Sequence, residues 1–240
     1  MRGYWNTGYY RAPSTEELKQ NAEASIAKAR KKGIIYKPIL IEGRKITKSW
    51  WGTAWCENLE RYADFASRID RGKRYVRNGS VIDLQIERGK VTARVQGTRK
   101  TPYKIEVRIS PLSEEKCVKI LDRCGKKLES VEELVSGNFP ESLKDLFFAE
   151  DGLFPSPAEI SFLCSCPDWA LMCKHVAAAL YGIGARFDEN PLLFFELRGI
   201  DVDRFIDTAI HDRIDEMLSM ADNRTSRMLD EDDLSLFGIL

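Results

Sequence analysis

The sequence has no apolar run approaching the roughly 18 residues of a membrane-spanning helix, no G-x-x-x-x-G-K-[ST] phosphate loop and no repeat of fixed period. The first absence removes any reason to expect a membrane partner, the second a nucleotide cofactor, and the third excludes solenoids and propellers. Met1–Arg11 has no apolar centre of the kind a secretion signal needs, so a soluble, cytoplasmic protein is expected. A surplus of charge of one sign is also missing, since 37 Lys and Arg balance 37 Asp and Glu. A chain that is neutral as a whole is neither a polycationic tail nor an acidic solvating segment. With 43% hydrophobic and 10% aromatic residues in 240, it has ample material for a packed core.

The neutrality conceals a division. Residues 1–112 carry 24 Lys and Arg against 11 Asp and Glu, net +13, whereas residues 113–240 carry 13 against 26, net −13. The basic half is suited to polyanions, and the acidic half to packing on the first or to a basic partner.

Four stretches follow from the patterning: residues 1–45, 46–112, 113–157 and 158–240. The first opens with an arm holding Tyr4, Trp5, Tyr9 and Tyr10, read as a strap folding back on the core or as a base-stacking extension. Ser14 with Glu17 fits a capping box, and Leu18, Ala22, Ile26 and Ala29 recur at helical spacing, with a stop at Gly33. In the second stretch a helix carries Trp50, Trp51, Trp55 and Leu59, and the tryptophans at that spacing are expected in the core. From Arg74 to Ile109 apolar and polar residues alternate around turns at Asn78-Gly79 and Arg88-Gly89-Lys90. That predicts an antiparallel meander with one apolar and one polar face.

Residues 113–157 read as a helical connector. One helix begins at Ser113 with Val118, Leu121 and Leu128 on its track, another lies around Val131–Val135, and a third opens at Pro140 with Leu143, Leu146 and Phe147. Cys117 and Cys124, seven apart, are expected as buried thiols. Leu153-Phe154 should anchor a turn-rich link to the last stretch. The fold class is therefore α+β: an antiparallel meander packed with helices, then a helical connector and a strand-turn-helix zinc module.

Half of the six cysteines and one of the two histidines fall within twelve positions, as Cys164-Ser-Cys166, six residues, then Cys173-Lys-His175. The residues from Glu159 to Cys164 suit a strand, on which positions two apart point to one side, so Cys164 and Cys166 can reach one ion. Cys173 and His175 arrive at the start of an alanine-rich helix and close a four-coordinate Cys3His set. Three thiolates and an imidazole in tetrahedral array select zinc, and four protein ligands leave no open position, so the ion is expected to be structural. With His175 committed, His211 is the only histidine left, and no Ser/His/Asp or Cys/His catalytic set can be assembled.

The spacing and the helix after it resemble the SWIM-type zinc finger, with Cys164, Cys166, Cys173 and His175 at its ligand positions. Trp50-Trp51-Gly52-x-Ala54-Trp55, Arg71-Gly72-Lys73-x-Tyr75-x-Arg77-x-Gly79-x-Val81, Val91-x-Ala93-x-Val95-x-Gly97 and Leu153-Phe154-Pro155 are similar to bacterial SWIM zinc finger proteins over most of the chain. That resemblance implies a Swi/Snf-type helicase ATPase as partner, and DNA binding or protein contacts as the finger's role.

Arg68, Arg71, Lys73, Arg74 and Arg77 around Tyr75 form the densest basic and aromatic interleaving. Arg44, Lys45 and Lys48 with Trp50 and Trp51 form a second patch, and Arg99 with Lys100 caps a sheet turn. Such clusters attract phosphates and offer stacking surfaces to unpaired bases of DNA or RNA. The competing reading has them docking the acidic half, which gives a pure protein adaptor. A third reading uses Asp201, Asp203, Asp207, Asp212, Asp215 and Glu216 to hold magnesium for a nuclease, against the plain expectation of a solvated helix face. Leu234, Leu236, Phe237 and Ile239, in an acidic tail, are candidate partner contacts. No enzymatic activity is expected.

Overall fold

The computed structural model describes residues 14–62, 66–125, 139–149 and 152–221. The aromatic arm, the segment around Val131–Val135 and the tail with Leu234, Leu236, Phe237 and Ile239 lie outside the described residues.

Helix α1 (Thr15–Arg30) starts on the expected capping box: the Ser14 hydroxyl accepts the Glu17 N–H at 3.1 Å, and the Glu17 carboxylate accepts the Ser14 N–H at 2.9 Å. Ser49 caps α2 (Trp50–Glu60) in the same way, its hydroxyl accepting the Gly52 N–H at 3.0 Å. Helix α3 (Ala66–Arg77) overturns part of the reading, because the alternation expected from Arg74 begins only at Val81. Asn78-Gly79 is a helix stop and not a strand turn. Gly79 sits at φ +67°, and the N–H groups of Gly79 and Ser80 close on the carbonyls of Val76 and Tyr75.

Strands β1 (Val81–Glu87), β2 (Lys90–Val95) and β3 (Tyr103–Ile109) form the expected meander. Ala93 lies opposite Leu84 and Ile105, and Val91 opposite Ile86 and Val107, so the apolar positions share one face. Strand β4 (Ile160–Cys164) then pairs antiparallel with β3, with Cys164 opposite Ile105, and completes a sheet of order β1-β2-β3-β4. The strand of the Cys/His segment is thus a member of the meander's own sheet.

In the connector, α4 (Glu114–Gly125) buries Ile120 and half-buries Cys117 and Leu121, whereas Val118 is 57% exposed. The expected track through Val118 is therefore rotated by about one position. A 3-10 turn at Glu141–Leu143 leads into α5 (Lys144–Phe148), and Leu143, Leu146, Phe147, Leu153 and Phe154 are all buried, as their pattern predicted.

Helix α6 (Lys174–Glu189) is the centre of the molecule. Twelve of its 16 residues are buried, because it packs on α2 and α3 and lies across the apolar face of the sheet. Its small residues allow close approach: a Cβ placed on Gly72 of α3 would meet the Cβ of Ala177 at 2.5 Å. Trp55 is fully buried and donates its indole N–H to the Leu180 carbonyl at 3.0 Å. Around it Phe154, Phe187 and Phe194, the last from α7 (Leu193–Leu197), make edge-on or tilted ring contacts at 5.2–6.3 Å. Trp50 and Trp51 pack half-buried against the same core, so all three tryptophans of α2 are structural, as expected.

Along helix α8 (Val202–Ala221) the sequence pattern of Val202, Phe205, Ile206, Ala209, Ile214 and Met217 predicts one apolar track, which the structure follows only in part. Ile206 packs on the core, but Ile214 and Met217 are 49% and 66% exposed. Among the described residues no helix is long and apolar enough to cross a membrane.

Candidate metal centre

The two halves of the Cys/His set are delivered by different elements. Ser165 is pinned to β3: its N–H donates to the Lys104 carbonyl at 3.0 Å and its hydroxyl accepts the Lys104 N–H at 2.9 Å. With Ser165 held, the flanking Cys164 and Cys166 turn to the opposite side, toward the helices. Cys173 is the N-cap of α6, and His175 follows within its first turn, 3% exposed.

One potential ligand atom from each of Cys164, Cys166, Cys173 and His175 lies within 4.8 Å of the others. The His175 Nδ1 is 3.9 Å from both Cys164 Sγ and Cys173 Sγ. A tetrahedral zinc with ordinary Zn–S and Zn–N bonds has S···N edges of about 3.6 Å, so a small contraction closes the site around an ion. Among the described residues this is the one such His/Cys/Asp/Glu group. The exposed Asp201, Asp203, Asp207 and Asp215 do not form another.

The electrostatics favour a thiolate at one cysteine of the cluster, Cys173, whereas burial pushes the Cys166 thiol up. The Cys173 thiol is lowered to about 4, first by its hydrogen bond with Cys164, then by His175 and by the backbone N–H groups at the start of α6, against the opposing effect of burial. Its partner Cys164 is pushed up by that same bond and by burial, so the first negative charge of the cluster settles at the helix N-terminus. Cys56 and Cys117 lie outside the cluster and are pushed up, first by burial and then by nearby carboxylates, Glu60 and Asp188 at Cys56 and Glu114 at Cys117; Cys56 is a buried core thiol, whereas Cys117, expected to be buried, is only half-buried. The Cys124 side chain, also expected to be buried, lies outside the described residues.

Aromatic rings frame the histidine. Tyr103 stacks on it with centroids 4.0 Å apart and planes 24° apart, and Tyr75 meets it edge-on at 5.6 Å. The His175 Nε2 is buried without a hydrogen-bond partner, next to Gly97, where an added Cβ would come within 3.6 Å of it. Each tyrosine ring also carries a cation: Lys174 Nζ is 5.5 Å from the Tyr75 ring centre, and the Arg99 guanidinium 5.4 Å from that of Tyr103.

The structure therefore brings together two basic segments that lie far apart in sequence, α3 and the Arg99-Lys100 turn, at one residue of the candidate metal cluster, His175. Arg71, Arg74 and Arg77 are exposed on α3, and Arg99 and Lys100 on the turn. Arg44 and Lys45 are exposed nearby, since Arg77 Nε donates to the Arg44 carbonyl at 3.3 Å. Other candidates are placed differently. Tyr75 is 3% exposed, its ring turned inward against His175, so it is not a surface for bases. Lys73 is held by Glu60 at 2.8 Å and lies over the Tyr181 ring. Lys48 sits at the far end of α6, where Asp188 accepts its backbone N–H and that of Ser49.

Sequence reasoning passed over Tyr103, Asp168 and Trp169. Parity was the signal for Tyr103, which shares a face of β3 with Ile105, the residue opposite Cys164. Asp168 is bridged by Arg68, with Nε 3.1 Å from one carboxylate oxygen and Nη2 3.3 Å from the other. Burial pushes the Asp168 carboxyl up, but the Ala170 N–H, Arg68 and Lys174 hold it below the usual range.

The fold and the cluster define an α+β protein with a candidate Cys3His metal site. The chain is similar to the uncharacterized protein Rv2102 of Mycobacterium tuberculosis (strain ATCC 25618 / H37Rv), 37% identical over 156 residues. Those residues make up 64% of this chain and 56% of that protein, so the chain spans little more than half the length of the relative it matches. No protein-family model and no solved structure matches the chain.

Proposed function

We propose that the protein is a non-enzymatic, zinc-stabilised nucleic-acid-binding subunit of the cytoplasm. Zinc held by Cys164, Cys166, Cys173 and His175 would supply a structural cross-link between β4 and the start of α6. The observation that carries the reading is the convergence of Lys174 and Arg99 on the two tyrosines that enclose His175. A metal that fixes His175 thereby fixes the rings on which those cations rest, and with them the spacing of a phosphate-binding rim completed by Arg71, Arg74 and Lys100. The resemblance to SWIM-type fingers adds a Swi/Snf-type helicase ATPase as the partner acting in trans.

The adaptor reading needs the basic half to be neutralised by the acidic half. Among the described residues Arg68–Asp168 joins the halves, but Lys73–Glu60, Arg94–Asp83 and Lys90–Glu106 lie within the first, and Arg186–Glu189 and Arg198–Glu159 within the second. That pattern leaves Arg71, Arg74, Arg99 and Lys100 on the surface and favours an external polyanion.

The test is binding to single- and double-stranded DNA and RNA across a salt series, with and without magnesium. A steep loss of affinity with salt is expected. Absence of binding at low salt overturns the reading in favour of the adaptor, and magnesium-dependent shortening of the substrate overturns its non-enzymatic part.

A further inference from the structure

Between Cys166 and Cys173 the chain makes a short loop whose residues alternate in and out. Ala170 and Met172 are 8% and 1% exposed, whereas Trp169 and Leu171 are 82% and 62% exposed. The turn is fixed from within, since Asp168 accepts the Ala170 N–H at 3.3 Å and is itself clamped by Arg68. An indole placed this far into water forgoes the burial that keeps Trp50, Trp51 and Trp55 in the core. It is also held between ligands of one cluster, so little freedom remains to be lost on binding. The next residue after Cys173 is a cation, Lys174, whose Nζ lies 5.5 Å from the Tyr75 ring centre.

We infer that Trp169 is a stacking platform for an unpaired base, which makes the metal-clamped loop a reader of single-stranded nucleic acid. The inference rests on the nucleic-acid reading above and narrows its ligand. Phosphate contacts from Arg71, Arg74, Arg99 and Lys100 are available to any strand, but an indole face stacks only where a base has left its own stack or pair. Lys174 would accompany a flanking phosphate while Trp169 holds the base.

The experiment titrates a labelled single-stranded oligonucleotide and the corresponding duplex into the zinc-loaded protein, its Trp169→Ala variant and its Trp169→Phe variant, with metal content measured in each. Trp169→Ala is expected to lose about 5- to 150-fold in single-strand affinity. Duplex affinity and zinc stoichiometry should stay unchanged, and Trp169→Phe should recover most of the loss. The fraction of tryptophan emission quenched by the single strand should fall in both variants. Equal losses for single strand and duplex, or none for either with the wild type still binding, overturn the stacking role and leave the broader reading standing. A wild type that binds neither form overturns both.

Discussion

The imidazole of His175 and the phenol of Tyr103 lie nearly parallel, 4.0 Å apart, so the buried imidazole is positioned by a ring from the neighbouring sheet. The stack fixes the ring plane that aims Nδ1 at the sulfurs of Cys164 and Cys173. Removing such an orienting partner typically costs a metal site about 10- to 100-fold in affinity. Tyr103→Ala is therefore expected to release zinc to a competing chelator at a correspondingly lower chelator concentration, and Tyr103→Phe is not. Gly97→Ala should imitate the defect, because its new Cβ would stand 2.8 Å from the Tyr103 ring.

Replacing Cys166 by Ser, or His175 by Ala, should abolish stoichiometric zinc, whereas Cys117→Ser should retain it. The consequence for the fold reaches beyond the loop. Cys164 ends a strand of the main sheet, and Cys173 caps the helix on which α2 and α3 pack. Metal removal is thus expected to lower the unfolding midpoint of the whole chain in a single transition. Acid should act in the same direction, since thiolates must take up protons as the ion leaves. A Cys166→Ser protein that melts with wild-type midpoint and cooperativity would contradict this coupling.

Much of the site was legible because its chemistry is local. A Cys-x-His at a helix start needs only the period of the helix to be placed, and the strand was read correctly as far as Cys164, although β4 ends there and Cys166 lies in the bend beyond it. The capping box at Ser14 and the Leu153-Phe154 anchor were legible for the same reason. What required the structure was long-range: that β4 joins β3, that Gly72 admits α6, and that Tyr75 turns inward to His175 while Arg74 beside it stays exposed. On a helix one step rotates a side chain by about 100°, so a basic-aromatic cluster does not reveal which members face out until the partner helix is known.

Arg198 and Glu159 supply a pH-dependent element away from the cluster. Arg198 is 1% exposed, its Nη2 is 2.8 Å from a Glu159 carboxylate oxygen, and its Nη1 donates to the Ser110 carbonyl at 2.9 Å. Burial pushes the Glu159 carboxyl up, but the Ser156 N–H and Arg198 outweigh it and hold the group below its ordinary value. A depressed carboxylate contributes stability above its unfolded pKa of about 4.3, and loses it as pH falls through the lower folded value. Glu159→Gln should destabilise by about 1–3 kcal/mol at neutral pH, since it leaves a buried guanidinium short of a charged acceptor. In urea melts from pH 7 down to about 3, the gap between wild type and variant should close. A gap that stays constant would mean that the pair contributes no charge-dependent stability.

Lys73 and Arg74 are neighbours in sequence with separate tasks, and this separation tests the placement of the basic rim. Lys73 is committed to Glu60, whose carboxyl it and Tyr181 hold below the usual range against the effect of burial. Arg74, one position on, is exposed. Lys73→Met is expected to lower thermal stability while leaving the salt dependence of nucleic-acid binding unchanged. Arg74→Ala and Arg99→Ala should do the reverse, each weakening binding and reducing the slope of log K against log salt by about 0.7 for a single strand. Circular-dichroism melts and salt titrations of the same preparations separate the two effects. If Lys73→Met reduced the salt slope while Arg74→Ala left it unchanged, the phosphate path would run along the Glu60 side of α3, away from the tyrosines that enclose His175.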